Sequence, residues 1–106
     1  MSTMYDFSEQ VYAVVAEIPM GKVMSYQRVA EAAGIKSPRW VGRILHRNDD
    51  SEHIPCHRVV HADGKLAPAY AFGGIATQRQ RLMNEGVQFI GEHVDMSSCS
   101  FIATMF

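Results

Sequence analysis

A chain of 106 residues is enough for one domain with a small core, so a single domain over 1–106 is expected. Hydrophobic residues at 47% against charged residues at 20% exclude a disordered chain, and no apolar run approaches the ~20 residues of a membrane span. With a net charge of −1, any nucleic-acid partner must be met by a local basic patch.

Residues 1–6 lack a basic stretch followed by an apolar core, so the cytoplasm is the expected compartment. Cys56 and Cys99 are then expected to be free thiols. Phe7, Val11, Val14, Val15 and Ile18 recur at helical spacing and predict a first helix over 7–18, with Asp6 as its cap. Pro19-Met20-Gly21-Lys22 ends it in a turn, and Val23-Met24 reads as a short extended piece. Ser25 is placed to cap a second helix over 26–33, closed by Gly34. Ser37-Pro38 opens a third, running to about residue 47, with Val41, Ile44 and Leu45 on its apolar side. Two short helices joined by a tight glycine-containing turn have the pattern of a helix-turn-helix. Arg39, Arg43 and Arg47 share one face of the third helix. Such a row either follows phosphates or is simply solvated, and the helix-turn-helix setting favours nucleic acid.

A polar loop over 48–52 delivers the chain to Ile54-Pro55-Cys56-His57-Arg58-Val59. The thiolate is the nucleophilic form of cysteine, and few cysteines are ionised at neutral pH unless a base or a cation is near. His57 supplies a base and Arg58 a positive charge, while Pro55 stiffens the approach. The plainer reading is that Cys56 is a small buried core residue. Val59-Val60 reads as a short buried strand, and Ala62-Asp63-Gly64-Lys65 as a turn with a small hairpin ending at Leu66. The loop over 67–74 carries Tyr70 and Phe72, which either wall a pocket or cap the core. A last helix over 75–85, with Leu82 and Met83 apolar, stops at Gly86. Val87-Gln88-Phe89-Ile90 reads as a final strand, and 91–106 is apolar without a pattern.

His53, Cys56, His57 and His61 are also a dense set of metal-ligand types. Structural zinc sites use defined pairs such as Cys-x-x-Cys, which are missing here, and neighbouring side chains of an extended segment point apart. No metal is expected. A cysteine hydrolase is disfavoured too, since nothing in the sequence supplies an oxyanion hole.

Ile54-Pro55-Cys56-His57-Arg58-Val59-Val60 resembles the active-site signature of the DNA-repair alkyltransferases, which move an alkyl group from the exocyclic oxygen of guanine to their own cysteine. The resemblance runs over 7–87. It implies a mainly α fold with a small β component, a helix-turn-helix (winged-helix-like) domain of the alkyltransferase C-terminal type. Met24-Ser25-Tyr26-Gln27 is similar to the start of that family's helix-turn-helix. Tyr26 is thereby implied to turn the target nucleotide outward and to protonate the departing guanine oxygen. Pro38-Arg39-Trp40-Val41-Gly42 matches the stretch carrying the family's arginine finger. Arg39 would fill the hole left by the flipped base, Gly42 would permit close approach to the minor groove, and Arg43 and Arg47 would join the DNA contact. Asn48 matches a structural hinge asparagine, and Glu85 the glutamate that orients the active-site histidine. The implied relay is Cys56, a water, His57 and Glu85, with Pro55, Val59 and Tyr70 walling the pocket.

No cofactor is implied. The partner would be double-stranded DNA containing alkylated guanine, bound by a monomer, and the activity a single-turnover methylated-DNA–protein-cysteine methyltransferase. Larger members carry a further N-terminal domain. Tyr70-Ala71-Phe72-Gly73-Gly74 has one residue more than the family's usual loop. Gln78-Arg79-Gln80-Arg81-Leu82 with Glu85-Gly86-Val87 looks more like the small alkyltransferase-like proteins. Those bind alkylated guanine without removing the alkyl group and flag it for nucleotide excision repair proteins, usually with tryptophan where this chain has Cys56. They are the alternative reading.

Overall fold

Three helices bring their apolar stripes together, and the rest of the chain is arranged on that contact. The structure is a computed structural model and describes residues 4–67 and 72–102. Val11, Val14 and Val15 of α1 (Ser8–Ala16) meet Val29, Ala30 and Ala33 of α2 (Tyr26–Ala33) and Val41, Ile44 and Leu45 of α3 (Pro38–His46) in one cluster. Burial of such side chains stabilises by roughly 1.5–3 kcal/mol each before the entropy of ordering is counted. The predicted helix-turn-helix is thus the α2–α3 pair, and its core face is the one read from the spacing.

Local chemistry sets the helix ends. Ser25 Oγ accepts from the Arg28 amide at 3.1 Å, a side-chain cap at the predicted place. Gly34 closes α2 in the left-handed region, at φ 79°. Ser37 occupies the cap position of α3 without a side-chain bond, so Pro38 at the first helical position carries the start signal there. Asp6 does not cap α1. A 3-10 turn (Met4–Phe7) precedes that helix, and its cap residue is Phe7, which makes no side-chain cap bond.

The predicted extended pieces become two strands. β1 (Met24–Ser25) pairs in parallel with β2 (Val59–Val60), Met24 opposite Val59 and Ser25 opposite Val60. The expected hairpin ending at Leu66 does not form. The His61 amide bonds the Lys65 carbonyl at 2.9 Å and closes a turn, while β2 takes β1 as its partner. The reason is burial: Val59 and Val60 are both fully buried, which suits a strand covered on two sides better than one in an exposed hairpin. That pairing carries the Cys56 segment against the start of α2.

α4 (Gly74–Asn84) presents Gln78 and Leu82 inward, while Met83 stays 53% exposed. Gln78 is fully buried and uses its whole amide: Nε2 donates to the His57 and Val59 carbonyls at 3.1 Å each, and Oε1 accepts from the Ala67 amide at 2.9 Å. The C-terminal part has more order than its sequence suggests. β3 (Phe89–Ile90) pairs antiparallel with β4 (His93–Val94), and Asp95 caps α5 (Met96–Cys99) by accepting from the Ser97 amide. The Val23 amide then bonds Cys99 O, and the Phe101 amide bonds Val23 O, both at 2.8 Å. Val94 and Cys99 join Val23, Val60, Leu66, Leu82 and Val87 in a second core. Both cysteines are free thiols and buried. Among the described residues no helix is long and apolar enough to cross a membrane.

Gly64 joins this C-terminal part to the turn after β2. Its φ is +88°, and an added Cβ would lie 2.3 Å from the Val94 carbonyl oxygen. Gly34 has a similar φ of +79° but open space around it. Gly34→Ala should therefore cost only the backbone strain, about 1 kcal/mol. Gly64→Ala adds a backbone clash and should lose more than about 3 kcal/mol. Urea denaturation of the two variants beside the parent checks the ordering, and equal losses would contradict it.

Candidate functional site

The segment after α3 enters the site through Asn48. This buried side chain donates Nδ2 to the Ile54 carbonyl at 2.9 Å and accepts at Oδ1 from the Asp50 amide at 2.9 Å. The loop is thereby folded back on itself, the side-chain-to-backbone role that suits asparagine at turns. Pro55, itself buried, leads into a 3-10 turn (Cys56–Arg58), in which the Cys56 amide bonds Ile54 O and the Arg58 amide bonds Pro55 O. Cys56 is 5% exposed and His57 2%. Val59 follows fully buried in β2, as a packing residue behind the thiol.

Glu85, just past the last turn of α4, reaches this 3-10 turn. His57 Nε2 lies 2.9 Å from Glu85 Oε2, and Arg58 grips the same carboxylate with Nε (2.9 Å to Oε1) and Nη2 (2.8 Å to Oε2). Arg58 Nη1 also donates to the Ile18 carbonyl beyond α1 at 2.6 Å. Burial alone would raise the Glu85 pKa, but the bonds from Arg58 and His57 hold it below the usual carboxylate range. An ionised carboxylate only accepts, so Nε2 carries the imidazole proton and Nδ1 keeps the lone pair. Burial pushes the His57 pKa down against the pull of Glu85, with Arg81 and Arg58 adding to the fall, so the ring is neutral at physiological pH. Nδ1 is buried and has no hydrogen-bond partner among the described residues.

The cation that acts on the thiol is not Arg58, whose guanidinium is committed to Glu85 and Ile18. Burial pushes the Cys56 thiol up, and a bond from Asn48 and the charge of Arg81 only partly offset it. Cys56 is therefore a neutral thiol at rest. Tyr26 is raised as well, to about 12, first by burial and then by the neighbouring Cys56 once that thiol ionises, so its phenol remains a proton donor. Its ring leans on His61 at 5.2 Å between centroids. His53, Cys56, His57 and His61 do not converge. Among the described residues no three His, Cys, Asp or Glu side chains are placed to hold a metal ion, and His53 pairs instead with Asp50.

A shallow open groove runs along α3, lined by Tyr5, Tyr26, Arg39, Gly42, Arg43, His46 and Arg47. The predicted arginine row thus lies on one surface, with Tyr26 on the wall shared with the thiol region. An alanine Cβ at Gly42 would meet only Tyr26 Cε1, at an ordinary 3.7 Å. Internal packing therefore leaves room for a side chain at this position. Tyr70 lies outside the described residues. Sequence reasoning missed Gln78 and Arg81. With Glu85 at the C-cap they stand at i, i+3 and i+7, continuing one face of α4, and that polar stripe on a half-buried helix was the available signal.

Acid should unfold this chain through the same network. The lowered Glu85 pKa contributes stability that is present above about pH 4.3, its unfolded value, and is lost as pH falls through the folded one. His57, lowered from about 6.5, takes up its proton more readily in the unfolded chain, so stability already declines below that pH. Melting temperature should fall steadily from pH 7 to pH 4. Glu85→Gln should cost about 2–3 kcal/mol at pH 7, since it leaves Arg58 without its counter-charge, and should flatten the slope below pH 5. An unchanged acid slope in that variant would show that Glu85 does not carry it.

Residues 6–87 match the family described as 6-O-methylguanine DNA methyltransferase, DNA binding domain. Alkyltransferase-like protein 1 of Schizosaccharomyces pombe is 36% identical over 86 residues, covering 80% of this chain and 80% of that protein. A methylated-DNA–protein-cysteine methyltransferase of Methanothermobacter thermautotrophicus is 39% identical over 87 residues, covering 82% of this chain and 48% of that one. The chain spans about a third to a half of the length of the curated methyltransferases it matches. Its fold superposes with a TM-score of 0.80 on the crystal structure of S. pombe Atl1 in complex with damaged DNA containing O6-carboxymethylguanine, at 28% identity, over 96% of this chain and 100% of that one.

Proposed function

The chain belongs to the 6-O-methylguanine DNA methyltransferase family through its DNA-binding domain, and from that membership we propose that it binds duplex DNA carrying alkylated guanine and takes the alkyl group onto Cys56. The observation that carries this reading is a buried thiol beside a neutral histidine whose tautomer is fixed by Glu85. The altered guanine is stacked inside the duplex, so it must be turned out before any side chain reaches it, at a cost of a few kcal/mol. On this reading Tyr26 crowds the nucleotide outward, Arg39 fills the space left behind and bonds the orphaned base, and Arg43 and Arg47 hold phosphates.

One displacement then suffices. The Cys56 proton passes to His57 Nδ1, directly or through a water, as sulfur forms its bond to the alkyl carbon. The bond from that carbon to the guanine oxygen breaks, and the departing oxygen takes a proton from Tyr26, which recovers one from His57. The product is a thioether and unmodified guanine, no cofactor takes part, and each molecule acts once. A monomer is sufficient, since one domain handles one base.

A second reading is favoured by the stretches Gln78-Arg79-Gln80-Arg81-Leu82 and Glu85-Gly86-Val87, which look like those of the small alkyltransferase-like proteins, together with the likeness to S. pombe Atl1. On that reading the chain is a damage sensor that holds alkylated guanine for nucleotide excision repair proteins, and Cys56 is a spectator.

Intact mass with peptide mapping, after mixing with duplex DNA containing a methylated guanine, separates the two. The transfer reading expects one methyl on Cys56 and restored guanine, and a rate that falls in acid as His57 Nδ1 takes up a proton and ceases to act as the base. Cys56→Ala should abolish transfer and keep lesion binding. Unchanged mass with a retained gel shift would sink the transfer reading and leave the sensor. Arg39→Ala should weaken lesion binding by at least tenfold, and base turning that survives it, read with a fluorescent base analogue, would remove Arg39 from its role.

A further inference from the structure

The groove along α3 has a rim that the family match does not include. Tyr5 lies one residue before the matched segment, in the 3-10 turn that precedes α1. That turn is anchored from behind, because Met4 and Phe7 pack on the main core and Phe7 also meets the Trp40 ring at 6.0 Å. Tyr5 itself points the other way, is 40% exposed, and lines the groove with Arg39, Arg43 and Arg47. The Arg47 guanidinium sits 4.1 Å from the centre of its ring.

We propose that Tyr5 presets the phosphate contact of Arg47, its ring holding the guanidinium edge-out toward the nucleic-acid backbone. This rests on the DNA-binding reading above and adds to it a positioning residue and an end to the footprint. An arginine stacked on an aromatic face spends its π surface on the ring and keeps its in-plane N–H donors for an anion. At the end of a short helix an unsupported arginine would have to freeze several rotatable bonds on binding, and the ring supplies much of that order in advance. Arg39 and Arg47 are eight positions apart, about 12 Å along the helix axis at ~1.5 Å per residue. That is three to four nucleotides at ~3.4 Å per nucleotide of one strand. The phosphate held by Arg47 therefore lies outside the site of the turned-out base, and the contact should strengthen damaged and undamaged duplex alike.

The test is a salt titration of binding by the full chain, with fluorescein-labelled duplexes that differ by a single O6-methylguanine. Losing one phosphate contact lowers the slope of log K against log salt by about 0.9. Between ~50 and ~200 mM salt, Arg47→Gln should thus lose about threefold to fourfold less affinity than the parent, on both duplexes. Tyr5→Ala should give part of the same slope change, Tyr5→Phe should restore the parent slope, and Tyr5→Ala with Arg47→Gln should be no worse than Arg47→Gln. A ring that merely props up the fold would move the melting temperature and leave the slope alone. A parent slope in Tyr5→Ala, or equal losses in Tyr5→Ala and Tyr5→Phe, overturns the proposal while DNA binding stands. No binding of either duplex by the unaltered chain overturns both readings together.

Discussion

The Glu85 carboxylate is the constraint on which the site depends. It accepts from His57 and takes a two-pronged grip from Arg58, and Arg58 in turn bonds the Ile18 carbonyl. One side chain therefore joins the end of α4, the 3-10 turn with the thiol, and the exit from α1. A partly buried ion pair is a poor source of net stability, because desolvation offsets most of its attraction. Its value here is geometric. With three donors converging on it, the carboxylate stays ionised and fixed. The imidazole beside it then has only one place for its proton, and the nitrogen left bare is the one that can act as a base.

The two halves of the site need opposite electrostatics, and the fold separates them. The thiol side is dry: Cys56, His57 and Gln78 are buried, and burial pushes the thiol and the phenol of Tyr26 up and the imidazole down. The groove side is open and carries Arg39 and Arg43 of the nine-residue α3 with Arg47 at its C-cap. A chain of net charge −1 thus gathers three arginines along one groove whose lining, among the described residues, includes no acidic side chain. Tyr26 belongs to both halves, since the first residue of α2 lines the groove and packs against the core cluster that holds Cys56.

What the sequence made plain was local. The Ser25 cap, Gly34, Pro38 and the Val41, Ile44 and Leu45 stripe are decided by chemistry within a few residues, and the helices stand where those signals put them. What it hid was long-range. Val59-Val60 next to an Asp-Gly turn reads as a hairpin, because the partner strand, β1, is more than thirty residues upstream and leaves no mark nearby. Arg58 sits beside Cys56 in sequence but turns to a carboxylate from α4, whereas Arg81, far along the chain, supplies the charge that acts on the thiol. The segment after Val87 carries no periodic pattern since its strands are two residues long, and its order comes from bonds to Val23. Tyr5 was silent because an aromatic residue in a first turn announces a core, not a rim.

A neutral resting site also suits the proposed chemistry. A thiolate formed ahead of its substrate in so dry a place would cost several kcal/mol and would draw a compensating cation or water inward. A thiol beside a neutral imidazole avoids that. Its proton leaves only when an alkyl carbon is at hand to take the electron pair, and the phenol of Tyr26 returns a proton to the oxygen that departs. Charge then never accumulates in the pocket, since each proton given up on one side is matched by one supplied on the other. The same economy explains why Glu85 must be saturated by Arg58. A freer carboxylate would pull a full proton onto His57, fill Nδ1, and remove the base beside Cys56.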